Sequence, residues 1–149
     1  MENNLETSQI KSRISSAINS DDWTVFNRRL TEKRQSWYKM TGRHIKVPGS
    51  DVRRAYHLFL IEYLGVSPEE VPVVYEDESR IVWHSHNWCP VVEACQRGGY
   101  DTRVVCKNGY EKSVQAFIEL INPRLRFTRN YDRIRPYTEY CEEEFYLKD

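Results

Sequence analysis

Thiol and imidazole chemistry is concentrated in one stretch of the chain, His84-Ser85-His86-Asn87-Trp88-Cys89-Pro90. Proline suits the first position of a helix, where its missing N–H would have no partner, and this leaves Cys89 at the N-cap. Unpaired N–H groups and the helix dipole there stabilise a thiolate and can bring a thiol pKa from about 8.5 toward about 4 to 7. A thiolate so placed is a nucleophile, and His84 or His86 beside it would serve as general base or added positive charge. The same residue types suit a metal: His84 and His86 with Cys89, Cys106 and Cys141 hold the nitrogen and sulfur donors of a zinc or iron site. Spacing adds nothing to the metal reading, because no Cys-x-x-Cys or His-x-x-x-His pair occurs. An inert thiol that caps a helix fits Cys89 as well. Cys95, nearly two turns further along the same helix, reads as core packing, since a free cysteine behaves as a small hydrophobe.

Two cationic runs are the other chemistry-bearing features. Arg124, Arg126, Arg129, Arg133 and Arg135, with Tyr131 and Tyr137 between them, would hold a carboxylate or phosphate, or else form a solvated strand edge facing Glu142-Glu143-Glu144. Arg28, Arg29, Lys33 and Arg34 read as the solvated face of a helix. Gly-x-Gly-x-x-Gly, phosphate-loop, Gly-x-Ser-x-Gly and His-Glu-x-x-His patterns are absent, so no nucleotide cofactor is indicated.

The elements that must position these residues follow from periodicity. Glu6 to Asn19 reads as a helix with a thin stripe of Ile10, Ile14, Ala17 and Ile18, and Ser20-Asp21-Asp22 offers caps for a second helix. That helix carries Trp23, Phe26, Leu30, Trp37 and Met40 until Thr41-Gly42 stops it. Ser50 or Asp51 caps a third, in which Val52, Ala55, Tyr56, Phe59 and Tyr63 share a face before Gly65 and Ser67-Pro68 end it. Ser79 to Trp88 alternates as a strand, with Ile81, Trp83 and Ser85 on one face and Val82, His84 and His86 on the other. A helix from Pro90 stops at Gly98-Gly99, and a short segment through Val104, Val105 and Cys106 meets a turn signal at Asn108-Gly109. Glu111 to Ile121 is helical; Leu125 and Phe127 belong to a strand, and Thr138 to Leu147 form the last one. The expected fold is α+β: N-terminal helices, then an antiparallel sheet covered on one side by helices.

The 149 residues suit a single domain, with 1–49 a basic helical extension of an α+β core over 50–149. Residues 1–50 carry nine Lys and Arg against five Asp and Glu within a chain of zero net charge, so the two halves are expected to attract across an internal surface. The alternative for these helices is an oligomer interface. Zero net charge argues against a nucleic-acid binder. No apolar run approaches the roughly 18 to 20 residues of a membrane span. The start of the chain lacks the features of a secretory signal, so the expectation is a cytoplasmic protein with reduced thiols.

Cys89, Pro90, Ala94, Gly98, Cys106, Asn122-Pro123, Phe127, Arg129 and Cys141 together make a pattern that resembles the L-2-amino-thiazoline-4-carboxylic acid hydrolase family, itself related to the vinyl-4-reductase ligand-binding domain. The resemblance covers the C-terminal half. It implies an α+β pocket for a small carboxylate and, for hydrolase members, opening of a cyclic C=N bond to give N-carbamoyl-cysteine. On that reading Cys89, or water activated by His84 or His86, attacks the C=N carbon, while Arg129 and Trp88 bind the substrate. The alternative is a non-catalytic module in which the same His and Cys residues bind a metal or a small ligand.

Overall fold

The computed structural model describes the backbone of residues 2–149 and the side chains of residues 5–149. Helices α1 (Glu2–Ser20) and α2 (Thr24–Met40) come first, and Asp22 Oδ1 accepts from Thr24 N at 2.9 Å in the break between them. Helix α3 (Asp51–Tyr56) starts at Ser50, whose hydroxyl accepts from Arg53 N at 3.2 Å, one of the N–H groups a helix start leaves unpaired. It then widens into a π-helical segment, His57–Tyr63, where an unbroken α-helix was expected. Leu58, Phe59 and Leu60 are all buried there, and the wider turn stacks Phe59 on Tyr63 with centroids 5.8 Å apart.

Strand β1 (Val73–Glu76), short and largely exposed, carries no strong alternation and was not anticipated. It pairs with β2 (Arg80–Ser85), after which come α4 (Pro90–Gly98), α5 (Thr102–Gly109) and α6 (Glu111–Glu119). Gly99 ends α4 in the left-handed region at φ 71°, where glycine escapes the Cβ penalty. Asn108-Gly109, expected as a turn, instead closes α5 and seats α2. Asn27 Nδ2 donates to Asn108 O at 2.8 Å, and a Cβ at Gly109 would lie 2.9 Å from the rings of Phe26 and Trp23. Strands β3 (Leu125–Asn130) and β4 (Cys141–Leu147) complete an antiparallel sheet in the order β1-β2-β4-β3. This is the expected α+β architecture.

Strand pairing sets Ile81, Phe145 and Phe127 in one row across β2, β4 and β3, then Trp83, Glu143 and Arg129 in the next, then Ser85 opposite Cys141. These rows face the helices; the alternate residues, Val82, His84, Thr128, Asn130, Glu142 and Glu144, occupy the other face. Phe145 is fully buried and touches Trp83, Phe127 and Phe59 with ring centroids 4.7, 5.7 and 6.3 Å away. The outer edge of β3 is covered by α6: Gln115 Nε2 donates to Leu125 O at 2.8 Å and Phe127 N donates to Gln115 Oε1 at 2.9 Å.

Both N-terminal helices complete the interior. Ile14 of α1 is fully buried against α4, and Trp37 of α2 packs 5.9 Å from Phe117 of α6. Charge attraction is not what holds them, since among the described residues the ion pairs all lie within residues 51–149. Met40, expected on the apolar stripe, is exposed. Phe145→Ala is expected to cost about 3–5 kcal/mol by lost burial and a cavity, against about 1 kcal/mol for removing the cap in Ser50→Ala. Urea denaturation of the two variants checks this order, and equal costs would contradict the central place of Phe145.

Candidate functional site

Cys89 is the N-cap of α4, with Pro90 at its first turn, as the sequence predicts. Burial pushes its thiol up, opposed by the backbone N–H groups of Val92 and Val91 and by the Arg135 guanidinium. The dipole effect is therefore present but outweighed, and the expectation of a depressed thiol pKa is corrected: desolvation of the charged form wins.

Helix α4 turns Val91, Ala94 and Cys95 inward, where they meet Ile14 of α1, Val105 and Cys106 of α5, Ile134 and Cys141. Cys89, Tyr110 and Tyr131 pack against the same cluster, so all four cysteines converge on one apolar region. None is disulfide-bonded. Burial pushes Cys95 and Cys106 to about 12. Cys141 Sγ accepts from Arg135 N at 3.4 Å and Arg135 Nε at 3.3 Å, while Arg135 Nη1 donates to Asn87 O. Arg135 thus ties the last strand to the segment that leads into Cys89.

The polar row of the sheet adjoins this cluster. Arg129 Nη2 donates to Glu143 Oε2 at 2.9 Å, with side chains only 10% and 12% exposed. Ser85 Oγ donates to Glu143 Oε1 at 2.8 Å and accepts from Trp83 Nε1 at 3.1 Å. The guanidinium lies over Phe127, 5.2 Å from the ring centre. Burial works against the Arg129 charge, and Glu143, Cys106 and Tyr131 together outweigh it, so its pKa is raised. Arg129 Nη1 is buried and has no protein partner.

The histidines are elsewhere. β2 ends at Ser85, and His84 lies on the opposite sheet face from Ser85 and Cys141, with Nε2 3.0 Å from Glu142 Oε1 and its ring stacked 3.9 Å from Tyr140. His86 is exposed beside the same Tyr140, and Trp88 is exposed as well. The general-base pairing of His84 or His86 with Cys89 is therefore corrected: strand alternation sends the imidazoles to the far side. The mixed site expected of Cys106, Cys141, His84, His86 and Cys89 is not assembled either, since no three His, Cys, Asp or Glu side chains among the described residues are grouped to hold a metal.

Arg129 of the first cationic run faces Glu143, as one of the two readings expects, and Arg28, Arg29 and Lys33 of the second are exposed. Arg124 donates to Lys148 O, Arg126 to Pro123 O and Leu125 O, and Arg133 to Tyr140 Oη, so this run binds the chain to itself. In the N-terminal run Arg34 is buried, not solvated: Nη1 donates to Ser113 Oγ at 2.8 Å and the guanidinium sits 5.1 Å over Phe59. The interior place of Arg34 and the hydrogen bond of Ser85 to Glu143 are what sequence reading missed, whereas the acidic stretch holding Glu143 was expected opposite the arginine run. The signal for Arg34 was present, because position 34 fills the gap in the stripe of Trp23, Phe26, Leu30 and Trp37.

A shallow groove of about 400 Å³ crosses the open sheet face between Arg80, Val82, Asn130, Glu142 and Glu144. Arg129 and Glu143 line it too, and its charged groups have partners: Arg80 pairs with Glu144, Arg129 with Glu143, and Glu142 accepts from Asn130 Nδ2. No helix among the described residues is long and apolar enough to cross a membrane. The chain matches no family model, no curated protein and no solved structure.

Raised thiol pKa values have a sign that can be checked. The unfolded thiols ionise near 9 while buried Cys95 and Cys106 stay neutral to about 12, so stability is expected to fall as pH rises across that window. In thiol titration with an aromatic disulfide at pH 8, Cys89 is expected to react first and Cys95 and Cys106 only after denaturation. Rapid modification of Cys95 or Cys106 in the folded protein would contradict their burial.

Proposed function

We propose that the chain binds a small monocarboxylate of the cyclic C=N, thiazoline type where the Arg129–Glu143 row meets the cysteine cluster. Arg129 Nη1 is the observation that carries this reading: a guanidinium N–H withdrawn from water without a partner costs free energy that a carboxylate oxygen recovers. Neutral thiols and aliphatic side chains around it offer a soft, polarisable wall suited to a sulfur-containing ring. The resemblance to the thiazoline-carboxylate hydrolases supports the same ligand class, because Cys89, Ala94, Cys106 and Cys141 of that pattern fall in one cluster beside Arg129. With the thiols held neutral, binding is favoured over turnover.

Hydrolysis is the second reading, favoured by the position of Cys89, the partly exposed thiol that faces the N–H groups of α4. The Cys89 sulfur would add to the C=N carbon and its proton would pass to the ring nitrogen. Cleavage of the ring C–S bond would free the substrate thiol, and water would then displace Cys89 to leave a urea.

Calorimetric titration with L-2-amino-thiazoline-4-carboxylate tests the proposal. Wild type and Cys89→Ser are expected to bind, and the double variant Arg129→Met/Glu143→Gln, which removes both buried charges together, to lose about tenfold or more in affinity. Proton NMR of the same mixtures separates the readings: product formed by wild type but not by Cys89→Ser establishes hydrolysis, and unchanged ligand establishes a binding module. No binding by wild type, or equal binding by the double variant, overturns the assignment.

A further inference from the structure

We propose that the exposed basic stripe of α2 in one copy of the chain docks on the acidic sheet edge at β1 of a second copy, so that copies associate head to tail. Neither surface belongs to the proposed carboxylate site.

The outer side of α2 carries unanswered positive charge. Val25, Arg28, Arg29, Lys33, Lys39 and Met40 lie there at helical spacing and are all exposed, while Arg34 and Trp37 turn inward and the helix packs on α6. Glu32 is the one carboxylate among them, and among the described residues no residue of α2 makes an ion pair. Val25 and Met40, 55% and 76% exposed, add apolar surface at the two ends of the stripe.

The complementary surface is the sheet edge at β1. From Ala55 to Ser79 the chain holds six Asp and Glu and no Lys or Arg. His86 N donates to Glu70 O at 2.8 Å, His84 N to Pro72 O at 3.0 Å and Asp77 N to Arg80 O at 2.9 Å, so residues 70–77 run beside β2 as one extended edge. Glu76 pairs with Arg53, but Glu69, Glu70, Asp77 and Glu78 pair with no Lys, Arg or His among the described residues. Val74 and Tyr75, 51% and 49% exposed, stand between these acidic ends. The edge of β3 is covered by α6, whereas β1 packs chiefly on β2 and leaves its own edge open. A bulge between Val73 and Tyr75 breaks the ladder and disfavours a further strand there, so a helix suits this edge better. The lengths agree: eight extended residues span about 26 Å at about 3.3 Å each, and the stripe from Val25 to Met40 spans about 22 Å at about 1.5 Å each.

Sheet order separates the two surfaces within one chain. Helix α2 packs on α6 and α6 on β3, while β1 is the opposite edge in the order β1-β2-β4-β3. The attraction is therefore met between copies. Such a contact is heterologous: each copy offers its stripe to one neighbour and its edge to another, and the assembly continues as a ring or an open chain. Exposed ion pairs contribute little each and are screened by salt, so the association is weak and salt-dependent.

Sedimentation equilibrium of the whole chain tests this. In about 10 mM salt, at about 0.1 mM chain, the weight-average mass is expected to reach about twice that of one chain, and to return to that of one chain in about 1 M salt. The stripe variant Arg28→Glu/Arg29→Glu/Lys33→Glu and the edge variant Glu69→Lys/Glu70→Lys/Glu78→Lys alter exposed positions only. Each alone is expected to stay a single chain in low salt, and an equimolar mixture to associate again, because the unaltered edge of one meets the unaltered stripe of the other. Wild type that stays a single chain in low salt, or a mixture that does not associate, overturns the proposal. Association lost in the stripe variant but kept in the edge variant gives the stripe another acidic occupant and overturns the pairing with β1; the converse gives the edge another basic occupant and overturns it equally. Should one variant fail to fold, the other and the salt dependence decide.

Discussion

The structure turns on a guanidinium–carboxylate pair placed inside a sheet face that is otherwise apolar. Arg129 and Glu143 lie in the row next to Ile81, Phe145 and Phe127 and adjoin the row of Ser85 and Cys141, so they stand at the seam between an aromatic cluster and a thiol-rich one. Taking such a pair from water is unfavourable unless each charge finds fixed partners. Ser85, itself held by Trp83 Nε1, supplies one for the carboxylate, and the Phe127 ring supplies part of them for the guanidinium. The register of β2, β4 and β3 is thereby fixed, because a slip of one residue would turn Glu143 and Arg129 outward and break the row.

The N-terminal helices belong to the same constraint. Arg34 enters the interior on α2, and the π-helical segment that follows α3 sets Phe59 and Tyr63 beneath it as stacked rings. Cation–ring attraction of about 0.5–2 kcal/mol per contact offsets part of the cost of burying Arg34, without cancelling its charge. A chain cut before residue 50 would lose this arginine, and with it Ile14 and the ring of Trp37 from the two clusters.

Much of this was legible in the sequence wherever one face of an element is apolar. The stripes of α1, α3, α4 and α6, the caps at Ser50 and Cys89, and the alternation of Ile81, Trp83 and Ser85 all correspond to observed elements, because burial on one side leaves a period in the residues. What failed to show lacked that period. Strand β1 is a short edge exposed on both faces, and Asn108-Gly109 looks like a turn although the glycine is there to let Trp23 and Phe26 approach. In the candidate site, Arg129 and the convergence of the cysteines could be read from residue type and strand parity. Arg34 was legible only by its place on the stripe, since a basic residue among Arg28, Arg29 and Lys33 is assigned to solvent unless that place is weighed above its charge.

The two faces of the sheet also explain why the histidines and the cysteines, neighbours in sequence, do not work together. Alternation sends His84 to the open face, where Glu142 and Tyr140 engage it, and sends Ser85 to the covered face opposite Cys141. Four residues after Ser85, the turn into α4 returns Cys89 to the covered side. Any chemistry at Cys89 is therefore governed by Arg135, by the start of α4 and by burial, none of which accepts a proton as an imidazole does. Burial that keeps the thiols neutral leaves Cys89 without the activation a nucleophile needs.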